Sequence, residues 1–459
     1  MLGLGLSNIV PYVVYGLAGP AMIASAMSRS AIGLLFIVPL LPLYVILDKV
    51  LKSELPLANN VVDFMFIAML LGMLIQKRDD EGPALSPSPL QGPLAIFAVY
   101  TFISLILGSG NFDGFTGEIN INRYAHWKNF MIMPLLYLIT YYTLRERVWQ
   151  KRLFTLLFFS FLFADIRFHQ SFKWVKHTLY QGVKSRVGGM AFLGPNEVAA
   201  FHAIYTLFIL GLFFVDKNVK RRFAYVLLMI GGTYCVLYSY SRGAYVALLL
   251  TAFFIAFVKE RKLLIVMIVF LIFWKAILPT SVVDRIANTI VEDGARADVV
   301  EVGGVQLETA MRTDIWETAL GYFYQNPLTG RGYNTYQYLT GYDSHNIYLK
   351  FMAEQGVIGL FIFLWFYLLA FRSGWKLYKN ADEEIIKALG FGFVCAVVGS
   401  MVANFFGDRW TYFQLGGIYW VLWALVDQYN ARIAAAVEAA DSLPASPELG
   451  PIPSRRIVS

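Results

Sequence analysis

Thirteen apolar runs, most near the length a helix needs to cross the hydrocarbon layer of a bilayer, follow one another along this chain. They occupy residues 10–27, 31–47, 59–76, 92–109, 129–143, 152–166, 196–215, 223–241, 243–258, 263–278, 346–371, 386–405 and 412–428. In lipid such a run satisfies its backbone only as a helix. The chain therefore reads as all-α, a polytopic integral membrane protein with about 12–13 transmembrane helices; Gly19-Pro20 interrupts the first run and 152–166 is short, which leaves the count at twelve or thirteen. Composition agrees, since 15% of residues are charged, whereas soluble proteins carry about 25%. The first ten residues lack the basic region of a signal peptide, so the first run is expected to stay in the mature chain.

The distribution of Lys and Arg sets the expected orientation. Alternate connections carry Lys77 and Arg78, then Arg145, Arg147, Lys151 and Arg152, then Lys217, Lys220, Arg221 and Arg222, then Lys259, Arg261 and Lys262, and last Arg372, Lys376 and Lys379. These belong on the cytoplasmic side. A formal net charge of +7 is thereby explained by topology, and no nucleic-acid partner is expected. The loop 279–345 then faces outward, and its nine acids against four arginines give 4 − 9 = −5. Four parts follow: an N-terminal bundle 1–278, the outer loop 279–345, C-terminal helices 346–428, and a Pro- and Ala-rich cytoplasmic tail 429–459 without fixed structure after a short helical extension. With thirteen spans the N-terminus lies outside. The two cysteines, Cys235 and Cys395, sit in apolar runs and read as small core residues.

Chemistry concentrates on the outer side. In S-Y-S-R-G-A-Y-V (239–246), Arg242 stands at a turn that starts a helix, where free N–H groups, the helix dipole and a guanidinium together suit a phosphate. An arginine at a helix end also snorkels without further purpose, but Arg is under-used on this side. G-P-N-E-V opens another run at the same surface, with Asn196 as a cap. The segment 167–195, with Lys184, Arg186 and several aromatics, reads first as an amphipathic helix lying on the membrane and second as a cationic patch for an anionic lipid-linked ligand.

Within the outer loop, Thr313 to Gln325 has helical spacing (Trp316, Leu320, Phe323), with Thr313 as cap and Arg312 at its start. Arg331 lies in the turn that follows. Gly330, Gly332, Tyr333, Tyr336 and Tyr338 suggest a tight turn with stacking surfaces for sugars, although interfacial anchoring explains each tyrosine equally well. His345 precedes a membrane helix that Asp343 or Ser344 caps; its imidazole titrates near neutrality and suits proton acceptance. Glu354 is costly to bury and needs a partner other than His345, which lies on another face, while Gly356 and Gly359 read as close helix packing. The sequence holds no zinc-hydrolase motif, no Cys/His cluster and no phosphate-binding P-loop, so no metal and no cofactor is expected. Arginines for a diphosphate and a histidine for a hydroxyl describe glycosyl transfer from a lipid-diphosphate sugar.

Three motifs carry a resemblance: S-R-G-A-Y-V-A-L (241–248), R-T-D-I-W (312–316) with N-P-L-T-G-R-G behind it, and S-H-N-I-Y-L-K-F-M-A-E-Q-G-V-I-G-L (344–360). From about residue 165 to 426 the chain resembles the bacterial O-antigen ligases and polymerases. The resemblance implies an inner-membrane glycosyltransferase with its site facing the periplasm or exterior. Such an enzyme moves an undecaprenyl-diphosphate-linked glycan, without a metal and with inversion, to a hydroxyl of lipid A core, of a growing glycan or of a protein. It also implies His345 as base, Arg242 and Arg312 as diphosphate ligands, and Arg331, Lys184 and Arg186 at the donor headgroup. A transporter or flippase of lipid-linked glycan is the alternative; the few intramembrane charges, Asp63, Lys275 and Glu354, and the lack of paired broken helices weigh against it.

Overall fold

The computed structural model describes residues 3–44, 60–75, 87–112, 117–172, 194–287, 299–302, 305–308 and 312–441. Sixteen α-helices account for nearly all of them. In chain order they are α1 Gly3–Met27, α2 Ser30–Ile37, α3 Val61–Ile75, α4 Gln91–Gly108, α5 Glu118–Thr143, α6 Arg147–Phe172, α7 Pro195–Val215 and α8 Val219–Tyr238. Then come α9 Arg242–Val258, α10 Lys262–Ile277, α11 Thr280–Ala287, α12 Arg312–Gln325, α13 Tyr336–Thr340, α14 Ile347–Asn380, α15 Glu384–Asn404 and α16 Phe413–Asp441. The outer loop adds one element that an all-α reading omits. Its acidic segment forms a two-stranded antiparallel hairpin, β1 Val299–Val302 with β2 Val305–Glu308, pairing Val299 with Glu308 and Val302 with Val305.

In its described residues every one of the thirteen apolar runs is helical, and the protein is a polytopic helical membrane protein. Among the described residues five helices are long and apolar enough to cross a bilayer unaided: α4 with the turn that continues it to Asn111, α6, α7, α14 and α15. The pair α10 and α11, bent by 105°, makes a sixth. The remaining apolar runs form helices that are shorter or more polar among the described residues. The reason is length and polarity. The 17 residues of α9 reach only about 26 Å against a hydrocarbon thickness of about 30 Å, and α5, α8 and α16 carry polar turns.

Two ends of the bundle are distinguished by their ion pairs. At one end Arg29 pairs with Glu146, Arg147 with Glu383 (2.5 Å) and Lys217 with Glu384 (2.6 Å), which gathers the connections rich in Lys and Arg. At the other end lie the starts of α7, α9, α12 and α14. The α16 helix runs through residue 428 without a break to Asp441, so the boundary expected at 429 falls inside a helix. Residues beyond it lie outside the described residues.

The central packing joins α7 to α15. A Cβ on Gly211 would meet the Gly392 Cα at 2.7 Å, and one on Gly392 would meet the Phe208 carbonyl at 2.8 Å. Only glycine lets the two backbones approach this far, with Cys395 as a small neighbour in the core. A second seam joins α5 to α16, where Gln428 donates to the Thr140 and Tyr141 carbonyls and Tyr137 donates to Asp427 at 2.7 Å. Gly211→Val should therefore lower the unfolding temperature in detergent by an overpacking cost of about 1–3 kcal/mol. Gly16→Ala, where nothing lies within 4 Å, should leave it unchanged in the same melt.

Candidate functional site

The loop between α11 and α14 is fastened to a break inside α14. Gly356 has φ +64° and ψ −163°, so the helical ladder is interrupted there. A break frees carbonyls before it and N–H groups after it, and at this depth each needs a partner. The loop supplies them. Arg331 N–H donates to the Ala353 carbonyl (2.9 Å) and Gly332 N–H to the Glu354 carbonyl (2.6 Å), while Val357 N–H donates to Pro327 (2.8 Å) and Ile358 N–H to Leu328 (3.4 Å). Tyr100 on α4 donates its hydroxyl to the Gln355 carbonyl at 2.6 Å. Side chains at the contact are excluded, since a Cβ on Gly330 would lie 2.3 Å from the Glu354 backbone. Gly356 is thus the hinge of this break, not the helix-packing residue that its sequence context suggests.

Two buried charges clamp the same loop from opposite sides. The Glu354 carboxylate accepts from Asn334 N–H (2.9 Å) and Tyr336 N–H (3.1 Å), which answers the question of its partner. Arg123 on α5, fully buried, donates to the Tyr333 carbonyl (2.6 and 3.1 Å), the Asn334 carbonyl (3.2 Å), the Leu105 carbonyl (3.0 Å) and the Asn120 side chain (3.0 Å). Nearby, Lys350 and Asp408 form a buried ion pair at 2.9 Å. Burial alone would raise the Asp408 carboxyl, but the Lys350 ammonium and the hydrogen bonds from Thr411 outweigh it and hold it below the usual carboxylate range.

His345 sits beside this clamp, at the head of α14. Asn346 is the helix cap, accepting from Tyr348 N–H (3.0 Å) and Leu349 N–H (3.3 Å). The expected caps Asp343 and Ser344 do other things: Ser344 donates to the Asn346 carbonyl (2.9 Å), and Asp343 Oδ2 lies 3.8 Å from His345 Nδ1. His345 itself has φ +52°, a left-handed conformation that non-glycine residues rarely hold. Asn334 (φ +53°) and Tyr240 (φ +55°) share it, so each of the three segments singled out in the sequence carries one such residue. Partial burial lowers the His345 pKa from its ordinary value; the Asp343 carboxylate opposes this, Arg312 and Arg409 add to it, and Glu197 opposes it. Arg312, Arg409, Glu197 and Asp343 therefore all act electrostatically on one imidazole, Asp343 from 3.8 Å.

Arg242 joins this neighbourhood through its cap. Ser241 donates its hydroxyl to Asn196 Oδ1 at 3.0 Å, so Asn196 braces the start of α9 and does not cap α7, whose cap is Gly194 with Pro195 next. The adjacent Glu197 pairs with Arg409, and Arg409 also donates to the Asp408 carbonyl at 3.0 Å. Gly243 lies against Phe406, where a Cβ would be 2.5 Å away. The start of α9 therefore packs onto the turn that carries Arg409. The α12 helix begins at Arg312, one residue before the expected Thr313, and Trp316 packs edge-on against Phe405 at 5.7 Å.

Other candidates are placed elsewhere. Arg331 turns along α12, bonding Gln325 and lying over the Tyr322 ring at 5.5 Å. Tyr333 is 2% exposed, stacks on Phe130 and bonds His126 Nδ1 at 3.1 Å, so it is a core residue with no face for a sugar. Its hydroxyl pKa is pushed well up by burial. Tyr336 is likewise buried and donates to the Ile315 carbonyl at 2.8 Å; Tyr338 alone of the three stays exposed. Lys184 and Arg186 lie in 173–193, outside the described residues.

Residues 224–364 match the family model described as O-antigen ligase. Over that segment the chain is similar to the O-antigen ligases. Among curated proteins none matches. The O-antigen ligase segment covers less than half the chain, yet it includes Arg242, Arg312, Arg331, His345, Lys350 and Glu354. Four residues that complete the buried network and its surroundings lie outside it: Arg123, Glu197, Asp408 and Arg409. Sequence reading passed over all four. One signal was present, since Asp408-Arg409 stands between two apolar runs on the arginine-poor side, as Arg242 does.

Glu354→Gln would turn an amide N–H toward the Asn334 or Tyr336 N–H and should cost about 1.5–3 kcal/mol for each charge-assisted bond lost. Hydrogen exchange should show it as faster exchange of the 327–336 amides, with the α7–α15 core still protected.

Proposed function

We propose that this protein transfers a glycan from an undecaprenyl-diphosphate donor to an acceptor hydroxyl on the outer face of the bacterial inner membrane. The observation that carries the reading is a partly exposed histidine among arginines at one end of an apolar helix bundle, Arg312 and Arg409 both disfavouring its protonation. Arg242 at the start of α9 and Arg312 at the start of α12 hold the diphosphate, where helix N–H groups and guanidinium donors meet an anion. Arg409, tied to Glu197, forms a neutral pair that braces the turn between α15 and α16. Arg331, Lys184 and Arg186 serve the donor headgroup at its edge.

The chemistry is one displacement. The acceptor O–H loses its proton to His345 Nε2, the other ring nitrogen facing Asp343, while its oxygen forms a bond to the anomeric carbon. The bond from that carbon to the diphosphate oxygen breaks, and the arginines stabilise the charge on the departing diphosphate. The configuration inverts, and no metal takes part. The acceptor is lipid A core, another lipid-linked glycan or a protein hydroxyl, and the product formed separates ligase from polymerase.

Purified protein given undecaprenyl-diphosphate oligosaccharide tests this. Transfer should occur, and His345→Ala and Arg242→Ala at matched folding should reduce it at least about 10²-fold, the usual loss for a missing acid–base group. Full activity in His345→Ala would remove the base assignment. Binding of donor with no transfer to any acceptor would favour a transporter. The pH profile supplies a second test. Transfer requires neutral His345, so rate falls as pH drops through its pKa. Removing the Asp343 carboxylate makes the imidazolium harder to form, so Asp343→Asn should move the acid limb to lower pH, and Arg312→Gln should move the limb of its residual activity upward.

A further inference from the structure

A second polar cluster, unused by this transfer, lies inside the bundle. Asp165 on α6, His202 on α7 and Cys235 on α8 bring a carboxylate oxygen, a ring nitrogen and a thiol sulfur within 4.8 Å of one another, and all three residues are buried. His202 Nδ1 is 3.0 Å from Asp165 Oδ1, and Cys235 Sγ is 3.6 Å from the same oxygen. Ligand atoms about 2.0–2.3 Å from a tetrahedral zinc stand roughly 3.2–3.8 Å apart, so the two distances to Asp165 are near such edges and the nitrogen-to-sulfur distance, within 4.8 Å, needs only a small adjustment. The backbone is cleared for the carboxylate as well. A Cβ on Gly231, one turn before Cys235 on the same face of α8, would lie 2.3 Å from Asp165 Oδ2.

We propose that Asp165, His202 and Cys235 form a structural site for one divalent cation of the zinc type. A mixed N, O and S donor set selects such an ion over magnesium or calcium. One carboxylate, one thiolate and a neutral imidazole around a dication make a charge-neutral unit, the form that is least costly inside an apolar bundle. Asp165 reaches a fourth position through its second oxygen. The rest of the surroundings are apolar: the His202 ring meets Phe168 and Phe201 edge to face, at 5.8 and 5.4 Å. The site stands apart from the transfer chemistry. Along α7, residues 196 to 202 rise about 9 Å, so the cation would lie beneath Asn196 and Glu197 and tie together the helices that hold Ser241 and Arg242 in place. Its ligands come from three separate helices, which is why no spacing motif announces it.

Protein purified in detergent without chelator and loaded with zinc should contain one zinc per chain by mass spectrometry. Exchange for cobalt should give a thiolate-to-cobalt charge-transfer band together with tetrahedral ligand-field bands. Cys235→Ser should lose the charge-transfer band, and His202→Gln should lose stoichiometric metal. A parent with no metal above the buffer blank and no charge-transfer band would overturn the proposal, leaving a hydrogen-bonded Asp–His–Cys triad. Metal retained equally in both variants would overturn it too, by placing the ion elsewhere. Because the parent's cobalt spectrum decides alone, a variant that fails to fold does not obscure the answer.

Discussion

The structure depends on a helix that is broken on purpose. At Gly356 the ladder of α14 opens inside the bundle, and unpaired backbone groups at that depth each cost several kcal/mol. The loop 327–332 fills the opening with its own N–H and carbonyl groups, and Glu354 and Arg123 hold the next residues, 333–336. Neither partner is stable in this form alone. The break needs the loop, and the loop, being polar backbone against an apolar bundle, needs the break. Their mutual requirement fixes where α12 ends and where α14 begins, and so fixes Arg312 and His345 relative to each other.

From that constraint the electrostatics of this end of the bundle follow. Arginines from four separate places in the chain, 123, 242, 312 and 409, stand near one end of the bundle, but they do different work. Arg123 is spent wholly on carbonyls and side chains of α4, α5 and the loop. Arg409 is held by Glu197 and by the Asp408 carbonyl. Arg242 and Arg312 begin helices, where their charge adds to that of the free N–H groups. His345 is partly exposed in a left-handed conformation, and its partial burial first, then Arg312 and Arg409, disfavour its protonated form. Left-handed non-glycine residues at 240, 334 and 345 mark the same region as one in which the fold holds the backbone against its local preference.

What could be read from the sequence was whatever depends on local pattern. Apolar runs became helices because lipid leaves the backbone no alternative, and α12 was visible to within a residue from the spacing of Trp316, Leu320 and Phe323. The loop-to-helix position of His345 was legible for the same reason. Pairings across the bundle were not. Glu354 clearly needed a partner, yet nothing in linear order pointed to N–H groups twenty residues upstream. Tyr333 looked like a sugar platform and is instead a buried strut under Phe130, since a tyrosine beside glycines carries no mark of which way it packs. Gly356 looked like a packing glycine because a positive φ leaves no sequence trace distinct from close approach.

The most direct measurement is an electron cryomicroscopy structure of the protein bound to an undecaprenyl-diphosphate oligosaccharide. The account predicts diphosphate density between Arg242 and Arg312, with the anomeric carbon turned toward His345 and the loop 327–336 still seated on the break at Gly356. Diphosphate bound at the end that carries the Arg147–Glu383 pair, or at the outer end with His345 facing away from the sugar, would contradict it.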